Sequence, residues 1–410
     1  MKIAIFSDCY LDLPGGIVSS INAQKTALEK NGHTVYIFSP SYPKTEKEKA
    51  ELAKRNIFVV PSCRWLIRGV TPISRRPSVI EKWLLKYHPE IKNFDVFYIH
   101  YEAGCSISAM KLGKKLGIPT VQVMHGREDM GETKLIPFPF KTIVAIGLNR
   151  AHAFYIPHHI KIKKDDLLAD SFAKAKMWEL MVNHVNYADL AICPSKHFAK
   201  KLSQYGAKKK IWILPNGYPD EKFLPDLPTK KLEPGETLKI IWHSRVSGEK
   251  RIMPFLKALK EVRTGYKLDV YGGGPDLPRA KKYASANKLK VVFHGNTAFE
   301  KVQKAITEAS LDVLVSYNYD NYPLTLVEAE ATCTPVFICD PDMKEIVPEG
   351  SYVISKTESP EDMVEALNDL LEHPDRIAKM SKTMAKNRGE VLISKRIKIL
   401  EKILSGIIKT

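Results

Sequence analysis

The feature that most constrains this chain is a repeated unit: a short, almost wholly apolar run that stops at a polar or glycine-bearing loop and gives way to a helical pattern. In the first half the runs are KIAIFSD (Lys2–Asp8), HTVYIFSP (His33–Pro40), IFVVPS (Ile57–Ser62), FDVFYIHYEAG (Phe94–Gly104) and IPTVQVMHGRED (Ile118–Asp129). In the second half they are LKIIWHSRVSGEKRI (Leu238–Ile252), LDVYGGGPD (Leu268–Asp276), VVFHGNTAFEKV (Val291–Val302), LDVLVSY (Leu311–Tyr317) and TPVFICDPDMKEIV (Thr334–Val347). Runs this short and this apolar read as strands buried on both faces, which means parallel sheets covered by helices. The fold class expected is α/β, with Rossmann-like, doubly wound sheets. Such sheets gather ligands at the carboxyl ends of their strands, so the loops after these runs are where chemistry is expected.

The 410 residues suffice for two domains of ordinary size. A stretch rich in proline and lysine, KFLPDLPTKKLEPGETL (Lys222–Leu238), marks the division. The expected organisation is a first domain over 1–221, a linker over 222–238 and a second domain over 239–388. A C-terminal helix over 389–410, with Ile393, Ile397, Leu400, Leu404 and Ile407 on one face, is expected to return to the first domain. Hydrophobic content of 44% and charged content of 27% are those of a globular chain. No apolar run reaches the ~18 residues of a spanning helix, and MKIAIFSDCY reads as strand and turn rather than signal peptide. The expectation is a cytoplasmic protein. Cys9, Cys63, Cys105, Cys193, Cys333 and Cys339 are scattered without a CxxC or Cys/His cluster, as free thiols are.

The formal net charge of +17 implies an anionic partner: nucleic acid, an anionic membrane surface or a phosphorylated substrate. No nucleic-acid recognition module is present, so that partner ranks last and none is expected. RWLIRGVTPISRRPSVIEKWLLKYHPEIK (Arg64–Lys92) carries seven Lys/Arg against two Glu. Val79, Ile80, Trp83, Leu84 and Tyr87 share a helical face there. Trp65, Arg75, Arg76, Lys82, Trp83 and Lys86 are accordingly candidates for contact with an anionic membrane, where each cation is worth about 1 kcal/mol; a core-packed helix with a solvated basic face is the alternative. Residues 130–176 read as an insertion that dips into a membrane, covers an acceptor or makes a dimer contact. Its His152, His158 and His159 lack ligand partners, so no metal site is expected there.

Several loops suit a phosphate. Gly15 and Gly16 precede a helix and let backbone approach a ligand. Arg245 and Lys250, five apart, could clamp a diphosphate without metal. Gly272, Gly273 and Gly274 form a glycine run without dinucleotide spacing. In YDNYPLTLVE (Tyr319–Glu328) Pro323 fixes φ where a helix begins, so the amides of Leu324 and Thr325 point outwards beside the helix dipole. Asp320 and Glu328 flank that cradle and could accept from sugar hydroxyls, with Asn321 and Tyr322 between them. His100 and His125 both stand at strand ends.

The spacing Asp320-x7-Glu328 followed by EAEATCTPVF resembles the Glu-x7-Glu motif of the retaining glycosyltransferases of family 4, which have the GT-B fold: two Rossmann-like domains facing a cleft. Arg245 and Lys250 resemble the family's Arg-x4-Lys pair, Gly272 to Pro275 its Gly-x-Gly-Pro loop, Asn296 lies in the strand-and-turn near the base, and PNG (Pro215–Gly217) resembles its end-of-domain turn. This chain departs at the first acid, an aspartate one methylene shorter. The resemblance implies catalytic roles for His125, Arg245, Lys250 and Asp320, with Gly126, Arg127 and Glu128 lining the acceptor side. It implies donor contacts from Gly15, Gly16, Gly272, Gly274, Asn296, Asn321, Tyr322, Pro323, Leu324, Thr325 and Glu328.

The function expected is retaining transfer of a hexose from a nucleotide sugar, UDP-glucose foremost, to diacylglycerol or a glycolipid, by a peripheral protein on the cytosolic face of a membrane. No cofactor or metal is expected; Asp340-Pro341-Asp342 imitates a metal motif but reads as a loop. A polyprenyl-linked acceptor and a non-catalytic GT-B subunit are the alternatives. Sequence does not speak to the oligomeric state.

Overall fold

The computed structural model describes residues 1–9, 15–42, 44–62, 74–126, 140–263 and 265–408. The chain divides into two compact units, Met1–Pro215 with Arg396–Thr410, and Asn216–Lys395. Each holds one sheet in which every described pair of strands is parallel.

In the first unit the order is β1 (Lys2–Ser7), α1 (Gly16–Lys30), β2 (Thr34–Ser39), α2 (Glu46–Lys54), β3 (Ile57–Val59), α3 (Pro77–Tyr87), β4 (Val96–His100), α4 (Gly104–Leu116), β5 (Thr120–Val123), α5 (Phe140–Tyr155), α6 (Phe172–Tyr187), β6 (Leu190–Cys193), α7 (Lys196–Gln204) and β7 (Ile211–Ile213). The strands lie in the order β3-β2-β1-β4-β5-β6-β7. The order reverses between β1 and β4, where Ser7 stands opposite His100. Phe6 anchors the core beneath this point, its ring 5.1 Å from both Phe38 and Phe97; each such pair adds roughly 0.5–1.5 kcal/mol beyond burial.

The second unit runs β8 (Leu238–His243), α8 (Ile252–Glu261), β9 (Tyr266–Tyr271), α9 (Leu277–Ala286), β10 (Val291–Gly295), α10 (Phe299–Glu308), β11 (Leu311–Leu314), α11 (Leu324–Ala331), β12 (Val336–Ile338), β13 (Tyr352–Ile354), α12 (Pro360–Glu372) and α13 (Asp375–Asn387). Its sheet order is β10-β9-β8-β11-β12-β13, so the reversal falls between β8 and β11. Trp242, Phe255 and Phe337 fill the core without exposure. The stretch over 222–238 packs on this unit: Leu232 is buried in its core and the Lys230 amide donates to Ser381 Oγ at 2.7 Å.

A last helix, α14 (Ile393–Ile408), belongs to the first unit from Arg396 onward. Ile397, Leu400, Ile403 and Leu404 are buried, and Glu401 Oε1 lies 2.8 Å from Asn31 Nδ2 and 2.9 Å from His33 Nε2.

The face assigned to α3 divides. Pro77 starts the helix, and Ile80 and Leu84 turn into the core with no exposure, because they sit one turn apart on the side facing α4. Trp83 is half-buried, its ring 4.6 Å from that of His88. That apolar side is therefore part of the core rather than a free surface, while Arg75, Arg76, Lys82, Lys86, Val79 and Tyr87 are exposed. Trp65 lies outside the described residues, as do Arg127, Glu128 and Cys63. The described cysteines are free thiols, and all but Cys9 are buried. No helix among the described residues is long and apolar enough to cross a membrane.

Candidate functional site

Doubly wound sheets bind ligands where the strand order reverses, and in the second unit three segments converge there. The first is the end of β8 with the turn after it. Lys250 reaches from this turn to Asp320, its Nζ 2.7 and 2.8 Å from the two carboxylate oxygens. Ser316 Oγ also donates to Asp320. Arg245 does not join this pair: its guanidinium bonds Glu249 and is 56% exposed.

The second segment is the glycine run after β9. Gly272 and Gly274 have φ of +127° and +153°, and a Cβ on them would stand 2.4 Å from the Ser244 carbonyl oxygen and 2.3 Å from that of Val246. Val246 in turn donates to the Gly273 carbonyl at 2.9 Å. Glycine is thus required because two backbones touch, and the contact fixes the turn carrying Arg245. Asn296 sits against Gly273, where a Cβ would meet its Oδ1 at 2.9 Å.

The third segment joins β11 to α11. Asn318 adopts φ of +48°, its amide held by Asp340 Oδ2 at 2.6 Å. Asp340 Oδ1 accepts from the Asp342 amide, so the Asp-Pro-Asp sequence ties two loops together. Asn321 is buried, and Pro323 stands at the N-cap of α11, where it supplies no side-chain cap. Thr325 Oγ1 and Ser244 Oγ are buried without a hydrogen-bond partner. Unpaired buried hydroxyls are costly and suit a polar ligand. Glu328, on the next turn, has an oxygen 3.2 Å from His243 Nδ1. Leu324 and Thr325 thus open a helix whose dipole faces this cluster.

The first unit's reversal point is built differently. Asp8 follows β1, and its carboxylate accepts from the amides of Ala103, Cys105 and Ser106 at 3.2, 2.8 and 3.0 Å and from the Ser74 hydroxyl at 2.7 Å. The start of α4 is therefore occupied by the protein's own anion. Beside it, His100 Nδ1 and His125 Nε2 approach to 2.6 Å with rings stacked, so the two strand-end histidines meet. Burial pushes His125 down to about 4, and burial with the neighbouring His125 holds His100 well below its usual range. Tyr101 follows with φ of +86°, its carbonyl accepting from Gln122 Nε2 at 2.9 Å. Gln122 begins a buried chain through His184 and His152 to His158. Gly15 precedes α1, with Gly16 its first residue; a Cβ on Gly15 would meet nothing.

Sequence reading passed over His243, Asp312 and Asp8. Each carried a signal: His243 stands at a strand end as His100 and His125 do, Asp312 interrupts the apolar LDVLV, and Asp8 closes the first strand. Among the described residues no group of His, Cys, Asp and Glu is arranged to hold a metal ion.

The model of Glycosyltransferase Family 4 matches residues 14–222, half of the chain, and that of Glycosyl transferases group 1 matches 225–388. The chain belongs to glycosyltransferase family 4. This transferase is 26% identical over 361 residues to an alpha-monoglucosyldiacylglycerol synthase of Streptococcus pneumoniae, covering 82% of this chain and 70% of that relative. It is 23% identical to a synthase of the same name from Acholeplasma laidlawii, covering 93% of this chain and 91% of the relative. Among solved structures, Anabaena HepE in complex with UDP superposes with a TM-score of 0.69 at 14% identity, over 99% of this chain and 100% of that one. Sucrose-phosphate synthase from Thermosynechococcus elongatus does so with 0.71 at 13%, over 100% and 99%. The fold of the transferase is GT-B.

Proposed function

We propose that this transferase moves glucose from UDP-glucose to a lipid acceptor, diacylglycerol or a glycosyl-diacylglycerol, at an anionic membrane surface on its cytosolic side, with retention at the anomeric carbon and without a metal. The observation that carries the reading is the cluster at the second unit's reversal point. There Lys250 is bound to Asp320, the first turns of α11 carry Glu328 and the orphaned hydroxyl of Thr325, and a second orphaned hydroxyl, that of Ser244, lies in the turn beside Gly272. That arrangement supports a donor lying with its diphosphate over the helix start, its ribose toward Glu328 and its sugar toward Asp320.

In this reading the bond from C1 to the diphosphate oxygen breaks through an oxocarbenium-like state while a bond from C1 to the acceptor oxygen forms on the same face. The acceptor proton passes to the departing phosphate. Lys250 and Arg245 stabilise the charge collecting there, which is where preorganised cations act most strongly. His125, in the first unit, is kept neutral by burial. The synthases named above support the lipid acceptor and the glucosyl group, and UDP in HepE supports the base.

The test is incubation with labelled UDP-glucose on anionic liposomes containing diacylglycerol, followed by organic extraction. Label in the lipid phase is expected. Label released only as free glucose would refute the acceptor, and no turnover of any nucleotide sugar would leave a non-catalytic donor-fold protein.

A further inference from the structure

The donor cluster contains a charged side chain to which the proposed chemistry gives no task. His243 ends β8 with its side chain 3% exposed, and both ring nitrogens meet carboxylates: Nε2 lies 2.6 Å from Asp312 Oδ2, Nδ1 3.2 Å from Glu328 Oε2. Between two ionised carboxylates, which only accept, both nitrogens donate and the ring is an imidazolium; burial raises Asp312, and the charge and hydrogen bond of His243 oppose that rise. Burial works against that charge, but the charge and hydrogen bond of Asp312, then those of Glu328, outweigh it and raise the ring to about 10.

The two carboxylates differ in freedom. Asp312 is 2% exposed on a strand paired on both sides, with Ile241 and Val336 as its neighbours. Its position is set by the sheet. Glu328 is 21% exposed on α11, where its long side chain has several rotamers to lose. An ion group of this kind is seldom kept for stability, since apolar residues of the same volume serve as well.

We infer that His243 is a positioning residue: anchored on Asp312, it holds one oxygen of Glu328 so that the other accepts from the ribose hydroxyls of the donor nucleotide. The inference rests on the proposed reading of the second unit as the nucleotide-sugar site. It adds to that reading the device that orients the ribose contact.

Titration calorimetry of the full chain with UDP and with 2′,3′-dideoxy-UDP separates ribose recognition from turnover. The unaltered protein should bind UDP about tenfold more tightly than the dideoxy analogue, the size of a charge-assisted pair of bonds. In His243→Gln, which keeps volume but can neither hold charge nor bond both carboxylates, the two affinities should come within about twofold of each other. In turnover assays the donor KM should rise more than kcat falls. Equal weakening of both nucleotides with the ratio intact overturns the inference, because a merely structural residue affects both alike. Asp312→Asn removes the anchoring charge and should also lower the ratio; an unchanged ratio in a folded Asp312→Asn protein overturns it even where His243→Gln does not fold. Failure of the unaltered protein to bind UDP at all overturns the donor-site reading, and that outcome differs visibly from UDP binding with a ratio indifferent to residue 243.

Discussion

Lys250 donates to both carboxylate oxygens of Asp320, at 2.7 and 2.8 Å, across 70 residues of sequence. A lysine so held has little rotamer freedom left to lose when a diphosphate arrives, and the aspartate has its reach fixed by the same bond. Removing either is expected to cost about 10²–10³ in turnover, the scale of a lost preorganised donor. Steady-state kinetics of Lys250→Ala and Asp320→Asn, with melting curves to show that the fold persists, would check this; turnover within a factor of a few of the parent would remove both from the chemistry.

Arg245 offers a contrasting case, because its guanidinium is 56% exposed although its partner Glu249 is only 12% exposed. Its loss should change stability by less than about 1 kcal/mol. Transfer should nevertheless fall at least about tenfold if it meets the leaving phosphate. A variant Arg245→Ala with normal kinetics would leave Lys250 as the sole cation of the clamp.

Proton linkage should act in opposite senses on the buried histidines of the two units. Burial lowers His125 to about 4, lowers His184 to about 3, and holds His100 and His152 well below the usual range. The unfolded chain takes up these protons near pH ~6.5, so below that point it binds more protons than the folded unit does. The first unit's stability should thus be full above about pH 6.5 and fall as the pH drops toward 4, by at most about 1.4 kcal/mol per group per pH unit. His243 behaves oppositely. Its pKa is raised to about 10, so its contribution is fully present below pH ~6.5 and is lost as the pH rises through 10. Melts followed by fluorescence should show the first unit weakening between about pH 6.5 and 4; a melting point flat across that range would contradict the assigned ionisations of its histidines.

Two glycines should respond unequally to the same change. Gly274→Ala drives a methyl to 2.3 Å from the Val246 carbonyl at a φ of +153° and should destabilise the second unit by about 1–3 kcal/mol. Gly15 is extended, with φ of −177° and open space around it, so Gly15→Ala should leave the melting point nearly unchanged. Calorimetry on the pair reads both effects.

For the membrane, the exposed cations Arg75, Arg76, Lys82 and Lys86 are the testable part of the basic stretch. Reversing all four charges should abolish cosedimentation with anionic liposomes, at about 1 kcal/mol per charge. Undiminished sedimentation would move the contact to another surface.

Much of this was legible in sequence because strands buried on both faces leave an unmistakable apolar signature. LDVLV, IAIF and VQV give the sheets, and Pro323 gives the start of α11. Less legible were contacts that depend on which strands become neighbours. Asp312 meets His243 only because β11 lies beside β8, and no local pattern encodes that order. The face of α3 was misassigned in part for a related reason: periodicity finds an apolar stripe at Ile80 and Leu84 but does not say whether core or lipid covers it. Short β13 and the helices over 360–387 carry no functional motif and escaped a reading that looked for one.

Asp8 bears on how many nucleotides such a chain can hold. Two sheets of the same winding might each have offered a helix start to a phosphate, yet at α4 the amides of Ala103, Cys105 and Ser106 are already satisfied by this carboxylate. At α11 the preceding residue is a proline that cannot play the same part. On the proposed reading, a stoichiometry of one rather than two follows from a single internal counter-anion. On that reading the carboxylate closes the start of α4 to a phosphate and leaves the start of α11 for substrate.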